Sequence, residues 1–212
     1  MIMVNLLFSS ASLSAAIVNA LTNSLGNWYV VLFNAFGILA MLVKVCEFQL
    51  KTRNKIIVFA TTSSCCWFTY FTLQGDFTSA ISNFILIVQG IIFYQRGKHK
   101  WADSIAWLFV FLCAQAVFGI FTFKTPLDLF PIFGGSFCTI AYFVMQENKY
   151  RVVSIVAMTL WLLNSITKGY LLATINDASS VVSAIIGLVR FNLLAKNKVA
   201  KETENEEQKI IE

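Results

Sequence analysis

The sequence predicts an all-α integral membrane protein: seven transmembrane helices as two parallel three-helix bundles joined by a linker helix (3+1+3), behind an N-terminal interfacial helix. Three observations predict it. The 212 residues are 58% hydrophobic and only 13% charged, with a mean hydropathy of +0.71; soluble domains carry about 25% charged residues. The apolar residues come in blocks of roughly twenty, enough helix to cross a bilayer core of ~30 Å. A pattern also recurs: Trp67, Gly75 and Asn83 lie eight residues apart, and Trp161, Gly169 and Asp177 repeat that spacing 94 residues later. Such internal periodicity is the signature of a duplicated unit.

The chain divides into an N-terminal apolar segment (1–26), a first bundle (27–100), a linker helix (101–125), a second bundle (126–195) and a charged tail (196–212). Residues 1–26 hold no charged side chain; Asn5, Ser9, Ser12, Asn19 and Asn23 form one polar stripe, as on an interfacial helix. The lack of a basic start argues against a cleaved signal peptide. An eighth span is the alternative there. Helix one is expected from about Trp28 to Gln49, helix two from Ile56 to Leu73, and helix three from Phe77 to Gln95. Helix four runs from Ser104 to Phe123 and stops before Lys124-Thr125-Pro126, since proline disfavours helix at the preceding residue. Helix five begins near Pro131, helix six spans Val152 to Thr167, and helix seven runs from about Leu171 to Leu194.

The second pair of each bundle carries the Trp–Gly–Asn/Asp pattern, so helix one should match helix five. Phe36-Gly37 and Phe133-Gly134 fit, as do Gln49 and Gln146, at an offset of 97. Helix four has no counterpart. A lone helix between two bundles reverses the chain and makes the bundles parallel. The charges agree. Lys51, Arg53 and Lys55, then Arg96, Lys98 and Lys100, then Lys149 and Arg151, and then the tail lysines fall in alternate loops. The positive-inside rule puts all of these in the cytoplasm, with the C-terminus. The tail adds five of the 11 acids and reads as a solvated helix or a disordered end.

A net charge of +5 made of short topogenic loops does not point to nucleic acid. The five cysteines sit in apolar blocks without a CxxC pair and read as buried small hydrophobes; the single histidine, His99, reads as a solvated loop residue. No metal or cofactor is expected. No Ser/His dyad, Gly-x-Gly-Asp element or His-Glu-x-x-His is present, so no enzyme is expected either.

Six residues are candidates for a substrate site: Ser63, Trp67, Asn83, Trp161, Asn164 and Asp177. Ser63 and Trp67 share a helix face at i, i+4, and mid-span tryptophans lie too deep for an interfacial belt. The competing reading of both tryptophans is space filling. Asn83 and Asn164 could equally be interhelical hydrogen bonds. Asp177 is the sharpest candidate, because an ionisable group inside a span is costly and functional by default; an N-cap at Asn176-Asp177-Ala178-Ser179 would instead leave it at the surface. Lys44 and Glu47, at i and i+3, are explained by snorkelling or a mutual pair. Gly134-Gly135 suggests close helix approach.

The segments "FPIFGG" and "LWLLNSITKGYLLATINDASSVVSAIIGLVRF" resemble the bacterial inner-membrane family called YgjV, over roughly residues 30–195. That resemblance implies a multi-pass protein of the cytoplasmic (inner) membrane and no particular activity. The architecture is also similar to SWEET and PQ-loop transporters. There a Ser-x-x-x-Trp element and an Asn face a central sugar. Ser63, Trp67 and Asn83 match them in the first bundle, and Trp161 and Asp177 in the second, with Ala157 in place of the serine. The Pro-Gln motif is absent, and Pro126 and Pro131 are the only prolines; hinge prolines are therefore missing. The resemblance implies a carrier or facilitator of a small polar solute. A membrane protein that binds a partner or lipid without transport is the alternative. The partners expected are the bilayer and that solute, with a homo-oligomer left open.

Overall fold

From residue 27 onward each apolar block forms one helix in the computed structural model, which describes residues 19–20, 23, 26–123 and 125–211, with backbone alone for Asn27 and beyond Phe191. The interfacial helix expected over residues 1–26 lies, save for four positions, outside the described residues. The helices are α1 (Asn27–Glu47), α2 (Arg53–Leu73), α3 (Phe77–Tyr94), α4 (Ala106–Thr122), a 3-10 turn (Pro126–Asp128), α5 (Leu129–Phe143), α6 (Glu147–Lys168) and α7 (Leu171–Ile211). No strand occurs among the described residues.

Among the described residues six segments are long and apolar enough to cross a membrane: Trp28–Glu47, Arg53–Leu73, Phe77–Tyr94, Pro126–Phe143, Glu147–Lys168 and Leu171–Phe191. The seventh expected span, helix four, is the shorter apolar helix Ala106–Thr122. Its 17 residues rise about 25 Å at 1.5 Å each. Two local signals shorten it. The Ser104 hydroxyl accepts from the Ala106 N–H at 3.2 Å, fixing the start, and Phe123 is extended ahead of the proline turn. At that turn Thr125 and Asp128 form a reciprocal capping box, with Pro126 in the first position. Helix six starts five residues earlier than expected, at Glu147, because Gln146 is already extended and breaks the chain there. The tail continues α7 as helix to Ile211.

α2 packs against both α1 and α3, and α6 against both α5 and α7. α4 touches α3 and α5. The two groups meet where α3 contacts α5 and where α1 contacts α7. The outward surface is apolar, with Leu42, Phe84, Ile91, Phe109, Val156 and Ile186 exposed. That surface contacts the lipid bilayer. It also explains a correction: Cys66 and Cys138 are buried, but Cys46, Cys65 and Cys113 are exposed. In a membrane protein the lipid-facing side is as apolar as the core, so an apolar block does not signal burial. His99 is exposed, as expected, and stacks on Trp101.

The ends of α2 and α6 are closed in the same way. Asp76 N–H donates to the Phe71 carbonyl and Gly75 N–H to Thr72; Tyr170 N–H donates to Ser165 and Gly169 N–H to Ile166. Both are Schellman motifs, and each bond is displaced from its counterpart by the 94 residues of the tryptophan pattern. Gly75 and Gly169 supply the left-handed residue, at φ 74° and 70°.

Candidate functional site

A cavity of about 40 Å³ lies among the helices, room for about three waters. Five of the six candidate residues line it: Ser63, Trp67, Asn83, Trp161 and Asp177. Asn164 does not. It is fully buried, and neither its Nδ2 nor its Oδ1 has a hydrogen-bond partner.

Trp67 and Trp161 reach the cavity from α2 and α6. Phe71 lies between them, stacked at 5.5 Å from Trp67 and 6.2 Å from Trp161. Gly134 makes room for the second indole: a Cβ there would sit 2.9 Å from the Trp161 ring. The Gly134-Gly135 pair does allow close approach, with Gly135 set against Gln115. The Ser63 hydroxyl donates to the Ala40 carbonyl of α1 at 3.0 Å, and Asn83 Nδ2 to the Ser79 carbonyl at 2.9 Å.

Asp177 is not an N-cap. α7 starts at Leu171, so Asp177 lies well inside the helix and is 6% exposed. The Ser165 hydroxyl donates to Oδ2 at 2.8 Å, and Asn176 Nδ2 donates to Oδ1 at 2.8 Å. Lys44 lines the same cavity. It pairs with Glu47 at 2.8 Å, which favours the mutual pair over snorkelling. The Tyr150 hydroxyl donates to Glu47 Oε1 at 2.5 Å, tying α6 to α1. Sequence reasoning placed neither Lys44 nor Asn176 in the site. Lys44 sits seven residues before the basic loop that begins at Lys51, where snorkelling is the ordinary expectation, and Asn176 was obscured by the neighbouring Asp177.

Polar contacts also join the helix ends beyond the cavity. At the end with the basic loops, Arg53 of α2 donates to Tyr142 O at 2.9 Å in the last turn of α5, to Val144 O at 3.3 Å just past it, and to Phe93 O at 3.1 Å. Arg151 of α6 returns the contact, donating to Leu50 O at 2.7 Å and Phe48 O at 3.4 Å beyond α1. Each guanidinium donates to carbonyls at or just past a helix C-terminus, where the backbone leaves acceptor capacity open. Arg96 adds a bond to Phe143 O and lies over its ring. Burial pushes the Arg96 guanidinium below its ordinary value. These arginines read from sequence as topogenic charges alone. At the opposite end Lys168 bridges Asp76 at 3.1 Å and Asp128 at 3.0 Å. Tyr170 lies beside Asp76; burial pushes its hydroxyl up, and the carboxylate pushes the same way, so it stays protonated at neutral pH.

Residues 31–195 match the model of a family described as Imp-YgjV, bacterial inner membrane protein. The chain belongs to this family. An Imp-YgjV protein is a multi-pass protein of the bacterial inner membrane, which accords with the apolar helices and the lipid-facing surface here. The matched stretch contains every cavity-lining residue and leaves out the N-terminal segment and the charged tail. No curated protein and no solved structure matches the chain.

Proposed function

We propose that the chain is a carrier or facilitator of a small polar solute, not an enzyme, with its site in the cavity between two helix bundles. The observation that carries this reading is convergence. Ser63, Trp67, Asn83, Trp161 and Asp177, from four helices, turn toward one cavity, where a scaffold would spread its polar residues along separate helix contacts. The bundles are α1–α3 and α5–α7, parallel and joined by α4. The packing order and the matched ends of α2 and α6 support that arrangement, as does the likeness to SWEET and PQ-loop transporters. The basic loops and the C-terminus face the cytoplasm.

The cavity is small in the present form. A cavity of about 40 Å³ does not admit a sugar or an amino acid, so loading requires one bundle to rock against the other. The arginine contacts at one end and the Lys168 bridge at the other must break in alternation. The small cavity is also what favours the competing reading, a non-transporting membrane protein that binds a partner or lipid. A solute screen on the purified protein separates the two. Melting temperature is followed against sugars, nucleosides, vitamins, amino acids and amines. A carrier shows a rise with one class, by ligand linkage, and loses it in Trp161→Ala. A flat screen with no change in Trp161→Ala favours the competing reading.

A further inference from the structure

We infer that the cavity takes a small organic cation, a protonated amine on a flat or apolar body, an inference that rests on the carrier reading above. The first observation is charge balance. Lys44 and Glu47 are both buried and cancel one another at 2.8 Å. Asp177 is left over. Among the described residues no lysine or arginine forms an ion pair with it. Its two bonded neighbours, the Ser165 hydroxyl and the Asn176 amide, are neutral donors. Neutral donors solvate a carboxylate and do not supply counter-charge. Inside a span that counter-charge matters, because an uncompensated ion in low dielectric is costly.

The second observation is an orphan acceptor. Asn176 lines the cavity and is 2% exposed, and its Oδ1 has no hydrogen-bond partner. An amide oxygen accepts only, so it suits an ammonium N–H and repels a second anion. Asp177 and Asn176 are adjacent on α7 and bonded to one another, so the carboxylate and the free acceptor form one polar patch. The third observation is the wall around that patch. Trp67, Phe71 and Trp161 line the same cavity; aromatic faces attract cations and accept flat bodies by stacking. One ligand chemistry uses all three: an ammonium held by Asp177 and Asn176, with its body against the indoles. A neutral sugar leaves Asp177 without counter-charge. An alkali ion leaves the aromatic wall without a role.

The test uses the full chain in detergent and reads tryptophan fluorescence during titration with benzylamine, choline, benzyl alcohol, glucose and sodium chloride. The amines are expected to give saturable changes with at least tenfold higher affinity than benzyl alcohol, the neutral counterpart. Asp177→Asn should weaken the amines tenfold or more and leave benzyl alcohol unchanged. Where Asp177→Asn does not give a single folded species, Asn176→Ala should still weaken the amines about threefold. Equal affinity for benzylamine and benzyl alcohol overturns the cation inference, as does saturation by glucose or by sodium alone. In each of those cases the carrier reading stands. No response to any probe, together with a flat solute screen, overturns both.

Discussion

Lys44 and Glu47 are the residues whose chemistry most departs from their surroundings. Both are buried, and the Glu47 carboxylate is shared between the Lys44 ammonium and the Tyr150 hydroxyl. Removing one partner of a buried pair strands the other, at a cost of about 3–5 kcal/mol. Lys44→Met should therefore lower thermal stability sharply, and Lys44→Met combined with Glu47→Met should recover most of the loss. A double variant as unstable as the single one would show that Lys44 acts through packing. At this scale the sequence was informative where spacing and offset coincided. Trp67, Asn83, Trp161 and Asp177 carry the repeat, Ser63 shares a helix face with Trp67, and all five meet in one cavity. Lys44, Tyr142 and Cys138, which also line it, have no such signal; tertiary packing alone brings them in. Asn164 shows the converse, a polar mid-span residue that periodicity selects and the cavity leaves out.

The arginines at the basic end link the elements. Arg53 binds carbonyls at the C-terminal ends of α5 and α3, and Arg151 binds those that follow α1. A sequence-level reading sees a positive charge near a helix end and assigns orientation. It cannot see that a planar, forked donor is required. Lysine retains the charge but not the fork. Arg53→Lys and Arg151→Lys should thus preserve membrane orientation, mapped by reporter fusions, while each lowers stability by about 1.5–3 kcal/mol, the value of hydrogen bonds to a charged group. Unchanged stability in both would reduce these arginines to topogenic charges. Helix lengths follow the same division. The apolar blocks located the seven helices from α1 to α7, but the 17 residues of α4 depend on the Ser104 hydrogen bond and the extended Phe123.

For the whole molecule the small cavity sets the expectations. Lys168, joined to Asp76 and Asp128, fastens the end opposite the arginines. Cys138 lines the cavity and is buried, so it reports opening. In a background lacking the other four cysteines, Lys168→Ala should speed labelling of Cys138 by a membrane-impermeant maleimide several-fold from the Lys168 side. Unchanged labelling would mean that the bridge does not hold the cavity shut.

The central claim is that this cavity carries a solute between the two sides. Uptake into proteoliposomes of the solute class that raises the melting temperature tests it most directly. The account predicts time-dependent, saturable uptake by the wild-type chain, reduced at least tenfold in Trp67→Ala and in Asp177→Asn while both variants still reconstitute. Uptake no greater than in protein-free liposomes, or uptake unaffected by both substitutions, would contradict it.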